Sequence, residues 1–173
     1  MVDAAKYSAI ETLRDGRRVE IRALRPEDRS DLLGAVDRVS PQSLYRRFFA
    51  VKRGLTEQET DFFVNVDFVD HVALLAVVEE DRRATIVGGG RYILVQPGKA
   101  EVAFAVIDEY QGQGVGGALM RHLAAISRDA GLQELVAEVL PENIPMLRLF
   151  EKCGCRMSTR REAQVIHITL GLN

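Results

Sequence analysis

Between Glu101 and Gly117 the chain reads Glu-Val-Ala-Phe-Ala-Val-Ile-Asp-Glu-Tyr-Gln-Gly-Gln-Gly-Val-Gly-Gly. It opens with a carboxylate at the head of an aliphatic and aromatic run, Val102 to Ile107, that reads as a strand. It ends in four glycines within six residues, Gly112, Gly114, Gly116 and Gly117. An amphipathic pattern follows at once, with apolar residues at Val115, Leu119, Leu123, Ile126 and Ala130, and Gly131 supplies a left-handed stop. Strand, glycine loop and helix N-terminus together make an anion cradle. Backbone N–H groups converge there, no Cβ blocks their approach, and the helix dipole favours negative charge. A phosphate-bearing ligand is expected at this place.

Three ligands use such loops. Gly112, Gly114 and Gly117 spell G-x-G-x-x-G, and Glu138 lies 21 residues beyond Gly117, as a Rossmann dinucleotide site asks. However, Asp108 to Gln111 separate the strand from the first glycine, only 56 residues follow Gly117, and the upstream hundred do not read as repeating βαβ units. A P-loop is excluded because no Lys-Ser or Lys-Thr follows the glycines. The remaining common ligand is the pyrophosphate of an acyl-CoA.

Val106 followed by Gln111-Gly112-x-Gly114-x-Gly116 resembles the acetyl-CoA signature of the GNAT acetyltransferase superfamily. Asn143 with Leu149-Phe150-Glu151-Lys152-Cys153-Gly154 resembles the second signature of that family, an Asn-led helix ending in Glu-Lys-x-Gly. Ser43-Leu44-Tyr45-x-Arg47-Phe48-Phe49 and Ala100-Glu101-Val102-Ala103-Phe104 resemble, more narrowly, the GNAT domain of bacterial protein-lysine acetyltransferases.

The resemblance implies a site. Backbone groups of Phe104, Ala105 and Val106 would bond the pantetheine arm in strand fashion, one N–H also polarising the thioester carbonyl. Gln111, Gly112, Gln113, Gly114, Val115, Gly116 and Gly117 would hold the pyrophosphate of acetyl-CoA. Asn143 resembles the residue that bonds the CoA arm, and it is equally an N-cap for the helix that follows. A lysine of pKa ~10.4 is neutral only about once in 2,500 at pH 7, a penalty of roughly 4.6 kcal/mol, so a positioned base helps. The resemblance assigns that role to Glu101, which shares a strand face with the small Ala103 and Ala105. Glu138, inside an apolar strand, is the rival: base, water relay, or a side chain that simply faces solvent. Many family members place at Phe150 a tyrosine that protonates the departing sulfur, and Phe150 cannot donate. A thiol of pKa ~8.5 is a fair leaving group without that help.

On the acceptor side, Tyr45, Phe48 and Phe49 alternate with Arg46, Arg47, Lys52 and Arg53 near the expected entrance. The resemblance favours a protein acceptor, in particular the active-site lysine of an AMP-forming acyl-CoA synthetase. The regulatory domains that often accompany such a domain are not expected in this chain. The competing functions are a small-molecule amine N-acetyltransferase, which would favour an enclosed acidic pocket, and a non-catalytic acyl-CoA-binding module.

The elements must bring these residues together. Strands are expected at Val19–Ala23, His71–Glu80, Thr85–Val95, Glu101–Ile107, Glu134–Leu140, Arg156–Glu162 and Gln164–Leu170, with a strand entry near Ile10–Leu13. Helices are expected from Pro26 to about Val39, Gln42 to Phe49, after a Thr56–Glu59 capping box, from Val115, and from Ile144 to Lys152. Gly88-Gly89-Gly90 inside a strand signals a bulge or a close neighbour. The outcome is a mixed α/β fold, one GNAT-type domain over residues 1–173, with a twisted mixed sheet of about six or seven strands and helices on both faces.

Composition agrees. Hydrophobic residues make up 47% and charged residues 28%, with net charge −2 and interspersed signs, so no nucleic-acid footprint is visible. No apolar run approaches a membrane span, and the N-terminus lacks a signal-peptide core. Cys153 and Cys155 are too close for a disulfide framework, and His71, His122 and His167 show no metal-ligand spacing. A cytoplasmic, metal-free protein, monomer or homodimer, is the expectation.

Overall fold

The structure, a computed structural model, describes residues 2–48 and 54–173, the side chain of Phe48 apart. Phe49, Lys52 and Arg53 of the expected acceptor border therefore lie outside the described residues. The elements run β1 (Ser8–Thr12), β2 (Arg18–Ala23), α1 (Arg29–Asp37), α2 (Pro41–Phe48), α3 (Glu57–Val64), β3 (His71–Glu80), β4 (Arg83–Gln96), β5 (Lys99–Val106), α4 (Val115–Asp129), β6 (Glu134–Val139), α5 (Ile144–Glu151), β7 (Arg156–Glu162) and β8 (Val165–Gly171). Short 3₁₀ turns precede β1 (Ala4–Lys6), α1 (Pro26–Asp28) and the glycine loop (Asp108–Tyr110). The capping box is present: Thr56 accepts from the Glu59 N–H and Glu59 accepts from the Thr56 N–H. Among the described residues no helix is long and apolar enough to cross a membrane.

One mixed sheet of eight strands has the order β1-β2-β3-β4-β5-β6-β8-β7. The strand beyond the expected seven is β1. It alternates exposed and half-buried residues and buries none fully, so the sequence carries only the weak entry signal at Ile10. Tertiary pairing with β2, from Ser8↔Arg22 to Thr12↔Arg18, makes it a strand.

β3 is the middle of the fold, buried from His71 to Val78. Its side chains divide by strict alternation. Ala73, Leu75 and Val77 join Leu24, Val64 and Ile86 in a layer with α1 and α3. Val72, Leu74, Ala76 and Val78 join Leu119, Leu123 and Ile126 of α4 on the other face. Helices therefore cover both faces, as the apolar continuity of β3 requires.

The three glycines of β4 have separate reasons. The β3–β4 register shifts between Ala76 and Val77, which face Gly88 and Ile86, so Val87 is the extra residue of a bulge. A Cβ on Gly90 would lie 2.6 Å from the Phe104 ring, and one on Gly88 would lie 3.0 Å from Val115. The close neighbours are side chains of β5 and α4 and, for Gly88, the Ala105 carbonyl oxygen of β5 at 3.1 Å. At Gly89 the nearest atom is the Leu74 carbonyl oxygen, at an ordinary 3.5 Å.

All adjacent strands are antiparallel except β5 and β6. These pair in parallel for three residues, Lys99↔Glu134, Ala100↔Leu135 and Glu101↔Val136. Beyond Glu101 β5 continues to Val106 and β6 to Val139 without facing each other.

Gly90→Ala should lower stability by about 1–3 kcal/mol through overpacking against Phe104, whereas Gly89→Ala should change it by less than about 1 kcal/mol. Urea unfolding of both variants checks the pair. Equal destabilisation would mean that Phe104 can yield and that Gly90 is not fixed by packing.

Candidate functional site

The parting of β5 and β6 opens a cavity of about 850 Å³. Its walls are β5 from Val102 to Val106, β6 from Ala137 to Val139, the glycine loop, the start of α4 and one side of α5. The register shows which backbone groups face it. Ile107 donates to the Val87 carbonyl, and the pairs continue as Ala105↔Gly89 and Ala103↔Arg91. In an antiparallel ladder alternate residues turn both polar groups to the partner. Ala103 and Ala105 therefore bond β4, and Val102, Phe104 and Val106 turn N–H and C=O toward the gap left by β6. Of the three residues expected to meet a ligand through the backbone, Phe104 and Val106 offer free-edge groups. Ala105, whose polar groups are bonded to β4, still lines the cavity. Gln111 folds back, its Nε2 donating to the Val106 carbonyl (3.0 Å) and reaching Ser43 Oγ (3.3 Å).

The glycine loop is built as a cradle. Gly112 (φ +80°) and Gly114 (φ +96°) adopt the left-handed region that disfavours a side chain. Gly114 is the N-cap of α4, its carbonyl taken by the Ala118 N–H. The N–H groups of Val115, Gly116 and Gly117 belong to a first turn that has no intrahelical acceptors for them. Gly116 also has a packing reason, since its Cβ would lie 2.8 Å from Leu149 of α5. Gly117 has open space beyond Arg121, at 3.5 Å.

Residues far away in sequence hold the loop in place. Arg14, in the β1–β2 turn, donates from Nη1 to the Gly112 carbonyl (3.0 Å), and its own N–H donates to the Gln113 carbonyl (3.2 Å). Arg38 binds Glu80 and Glu109 with both sides of its guanidinium, at 2.8–3.2 Å, and its pKa is raised by those two carboxylates. Buried Tyr110 donates to Glu80 (2.8 Å) and accepts from Arg17 (2.6 Å). These bonds fix the 3₁₀ turn that leads into the glycines.

The cavity is electropositive. Arg14, Arg46, Arg47, Arg121, Arg148 and Lys152 line it, against the single carboxylate of Glu138. Buried Arg46 Nε has no hydrogen-bond partner among the described residues, a donor with capacity to spare. Arg121 is partly neutralised by Glu11 (2.6 Å), which also meets His122 (2.7 Å). Size, charge, glycine cradle and free strand edge together fit a long, phosphate-bearing ester of the CoA kind.

Asn143 is buried at the cavity wall and accepts from the Met146 N–H (3.4 Å), so it caps α5 and also borders the ligand space. Phe150 is buried, edge-on to Phe104 with ring centroids 6.2 Å apart. Glu101 is exposed, at the last β5–β6 pair, and is not on the wall of the large cavity. Glu138 is on that wall, half-exposed, with His167 across the strand at 3.6 Å. Glu101 pairs with Val136, and Glu138 lies two residues beyond Val136, so both carboxylates project from one face of the sheet.

That face continues over β4 to Arg91. Its guanidinium donates to the Phe63 carbonyl (3.0 Å), meets His71 Nε2 (2.8 Å) and stacks on the Phe63 ring at 4.5 Å. Burial, together with the charge of Arg47, pushes its pKa down to about 9. Burial and Arg91 push His71 down to about 4, leaving a neutral acceptor. Cys153 and Cys155 are half-buried free thiols, and burial pushes Cys155 up to about 11, away from nucleophile chemistry. No group of three His, Cys, Asp or Glu able to hold a metal occurs among the described residues.

Arg14, Arg38, Glu80, Tyr110, Arg121 and Arg148 escaped the sequence reading. Of these only Arg148 left a signal, four residues before Lys152 on the helix after Asn143.

Residues 41–155 match the family model described as the acetyltransferase (GNAT) family. An acetyltransferase of Pseudomonas aeruginosa is 35% identical over 127 residues, 73% of this chain and 68% of that protein. Acetyltransferase Pat of Mycolicibacterium smegmatis is 31% identical over 144 residues, 82% of this chain but only 42% of that protein. The crystal structure of the GNAT domain of S. lividans PAT superposes with a TM-score of 0.87 at 33% identity, covering 95% of this chain and 96% of that one.

Two outcomes check the site. Gly114→Glu strains a left-handed N-cap and sets a negative charge in the cradle, so it should abolish acetyl-CoA binding in calorimetry while the fold persists. Undiminished affinity would place the phosphates elsewhere. For His71, the folded pKa of about 4 lies below the ordinary 6.5. The unfolded chain then binds more protons between those values, and stability is lost as pH falls through that window, by at most about 3 kcal/mol. His71→Gln keeps an acceptor for Arg91 and cannot titrate. It should flatten the fall in urea midpoint between pH 6.5 and 4, and an unchanged slope would contradict a buried neutral imidazole.

Proposed function

The chain belongs to the GNAT acetyltransferase family, and from that premise we propose that it moves the acetyl group of acetyl-CoA to the ε-amine of a lysine on a protein. The observation that carries the protein-acceptor reading is the likeness to the GNAT domain of S. lividans PAT over 95% of the chain. Pat of M. smegmatis supports it, although this chain spans under half of that protein. The acceptor class we favour is an AMP-forming acyl-CoA synthetase carrying an active-site lysine.

Acetyl-CoA supplies an activated thioester. The chain's own residues supply the rest. The N–H groups of Val115, Gly116 and Gly117, with Arg14 and Arg148 of the cavity wall, hold the phosphates. Phe104 and Val106 hold the arm by strand-like bonds. A Phe104 or Val106 N–H would polarise the thioester carbonyl. Glu101 stands at the point where the strands part, facing solvent from which a lysine can come, and takes the proton of the attacking amine. Glu138 is offset along β6 and held near His167, which makes it the alternative acceptor of that proton. Phe150, packed on Phe104, keeps water from the sulfur and leaves the thiol to depart as thiolate.

A small-molecule amine acceptor is the weaker reading. An enclosed acidic pocket would serve a cationic amine, whereas the space beside Ala103 and Ala105 is lined by Arg47 and Arg91. Mapping new acetyl-lysines by mass spectrometry, after incubation with acetyl-CoA and a cell extract, tests the acceptor class. Site-specific modification of a synthetase lysine is expected, and turnover confined to free amines would refute it.

Glu101→Gln should slow acetyl transfer to lysine by ~10²–10⁴-fold near neutral pH, leave acetyl-CoA affinity almost unchanged, and regain part of the rate as pH rises. Glu138→Gln should be milder. Loss of turnover in Glu138→Gln alone would move the base to β6. Phe150→Tyr should change the maximal rate by less than about tenfold, because a leaving thiolate needs little protonation. A hundredfold gain would show that leaving-group protonation limits the reaction.

A further inference from the structure

Beside the large cavity lies a second space of about 100 Å³, between α1, α2 and the face of β4 and β5. The two share four lining residues, Val39, Arg47, Ala103 and Ala105. Alanines form the β5 part of that shared wall, so little side chain stands between the free edge of β5 and the second space. The far wall carries Arg91, which pairs across the ladder with Ala103.

Arg91 is a largely enclosed cation whose hydrogen-bond partners among the described residues are both neutral, the Phe63 carbonyl and His71 Nε2. The neutrality of His71 follows from its depressed pKa, and the pKa of Arg91 is depressed by burial first and by the charge of Arg47 second. An enclosed guanidinium is most stable with a carboxylate on its fork. Of the nearby acids, Asp67 accepts from the N–H groups of Val69, Asp70 and His71, Asp61 pairs with Arg29, and exposed Glu101, two residues from Ala103 on the same face, acts on Arg47.

We propose that this side cavity is an acyl-chain pocket for a CoA thioester whose acyl group ends in a carboxylate, with Arg91 as the specificity-determining cation. The inference rests on the proposed CoA-dependent transfer and names a further acyl class for the same site. The wall shared by the two spaces fits it. Ala103 pairs with Arg91 across the β4–β5 ladder and lines both spaces, so an acyl chain that passes over Ala103 enters the space lined by Arg91. A space of about 100 Å³ takes roughly three water-sized groups, the size of such an extension beyond the thioester carbon. The transfer step itself is unaltered: the amine nitrogen bonds to the acyl carbon, the C–S bond breaks, the amine proton passes to the carboxylate base, and CoA leaves as thiolate.

The test compares succinyl-CoA with butyryl-CoA, equal in chain length and differing in a terminal carboxylate against a methyl, by calorimetry on the full chain, with acetyl-CoA as reference. Succinyl-CoA should bind about ten- to a hundredfold tighter than butyryl-CoA, the ordinary worth of a charge-assisted bond. Arg91→Met, which keeps an apolar stem, should bring the two esters to within about threefold of each other and leave acetyl-CoA affinity in place. Butyryl-CoA binding as tightly as succinyl-CoA overturns the proposal, as does a succinyl preference that survives in Arg91→Met. If Arg91→Met does not fold, the wild-type ratio decides. If acetyl-CoA fails to bind as well, the proposed function falls and takes the acyl class with it, an outcome distinct from acetyl-CoA binding without a succinyl preference.

Discussion

The free inner edge of β5 is the constraint on which the rest of the molecule depends. A strand that leaves its neighbour after three pairs exposes N–H and C=O groups in the middle of a sheet, and such groups must find partners. The fold does not pair them off with another strand. β4 holds β5 from the other side along nearly its whole length, while β6, paired with β8 throughout, has no β5 partner beyond Val136. Glycines in β4 let Phe104 and α4 press close, which fills the space beneath the parted strands without closing the gap. The result is a rigid slot lined by main-chain donors and acceptors at one depth, and by the N-terminus of α4 at its end.

Charge organises what surrounds the slot. At the loop, Arg38, Glu80, Glu109, Tyr110 and Arg17 form a neutralising network whose members are consumed by one another. Its role is geometric. At the cavity wall the cations outnumber carboxylates, and buried Arg46 Nε lacks a partner among the described residues. There the imbalance is an asset, because phosphates bring the missing charge. On the sheet face beyond, Arg91 repeats that imbalance on a smaller scale, among neutral acceptors. The single chain thus separates groups that build from groups that wait for a ligand by whether their hydrogen-bonding capacity is already used.

The sequence disclosed the slot's end better than its sides. Gly112 and Gly114 sit at left-handed positions, a local demand that leaves a local trace, and the amphipathic period of α4 is equally local. Gly116 was legible as a glycine but not for its reason, since Leu149 belongs to another helix. Arg14 left no trace at all: it meets Gly112 from 98 residues away, and an arginine in a polar turn looks like any other. β1 was nearly invisible because no residue in it is fully buried, so no hydrophobic alternation marks it. For Phe104, Ala105 and Val106 the strand was evident, whereas the separation of Ala105 from its neighbours needed the ladder phase with β4, which composition does not encode. The relation of Glu101 to Glu138 likewise needed the parallel register, which puts both on one face and only Glu138 on the cavity wall.

That phase offers the most direct test of the central claim, that a ligand completes the free edge of β5. Amide hydrogen exchange, resolved by residue and followed with and without acetyl-CoA, reads each N–H separately. The Phe104 and Val106 amides should exchange much more slowly once acetyl-CoA is bound, while the Ala103 and Ala105 amides, already bonded to β4, should change little. Protection that appears equally at all four, or at none of them while acetyl-CoA binds, would contradict the claim that the parted edge is the binding surface.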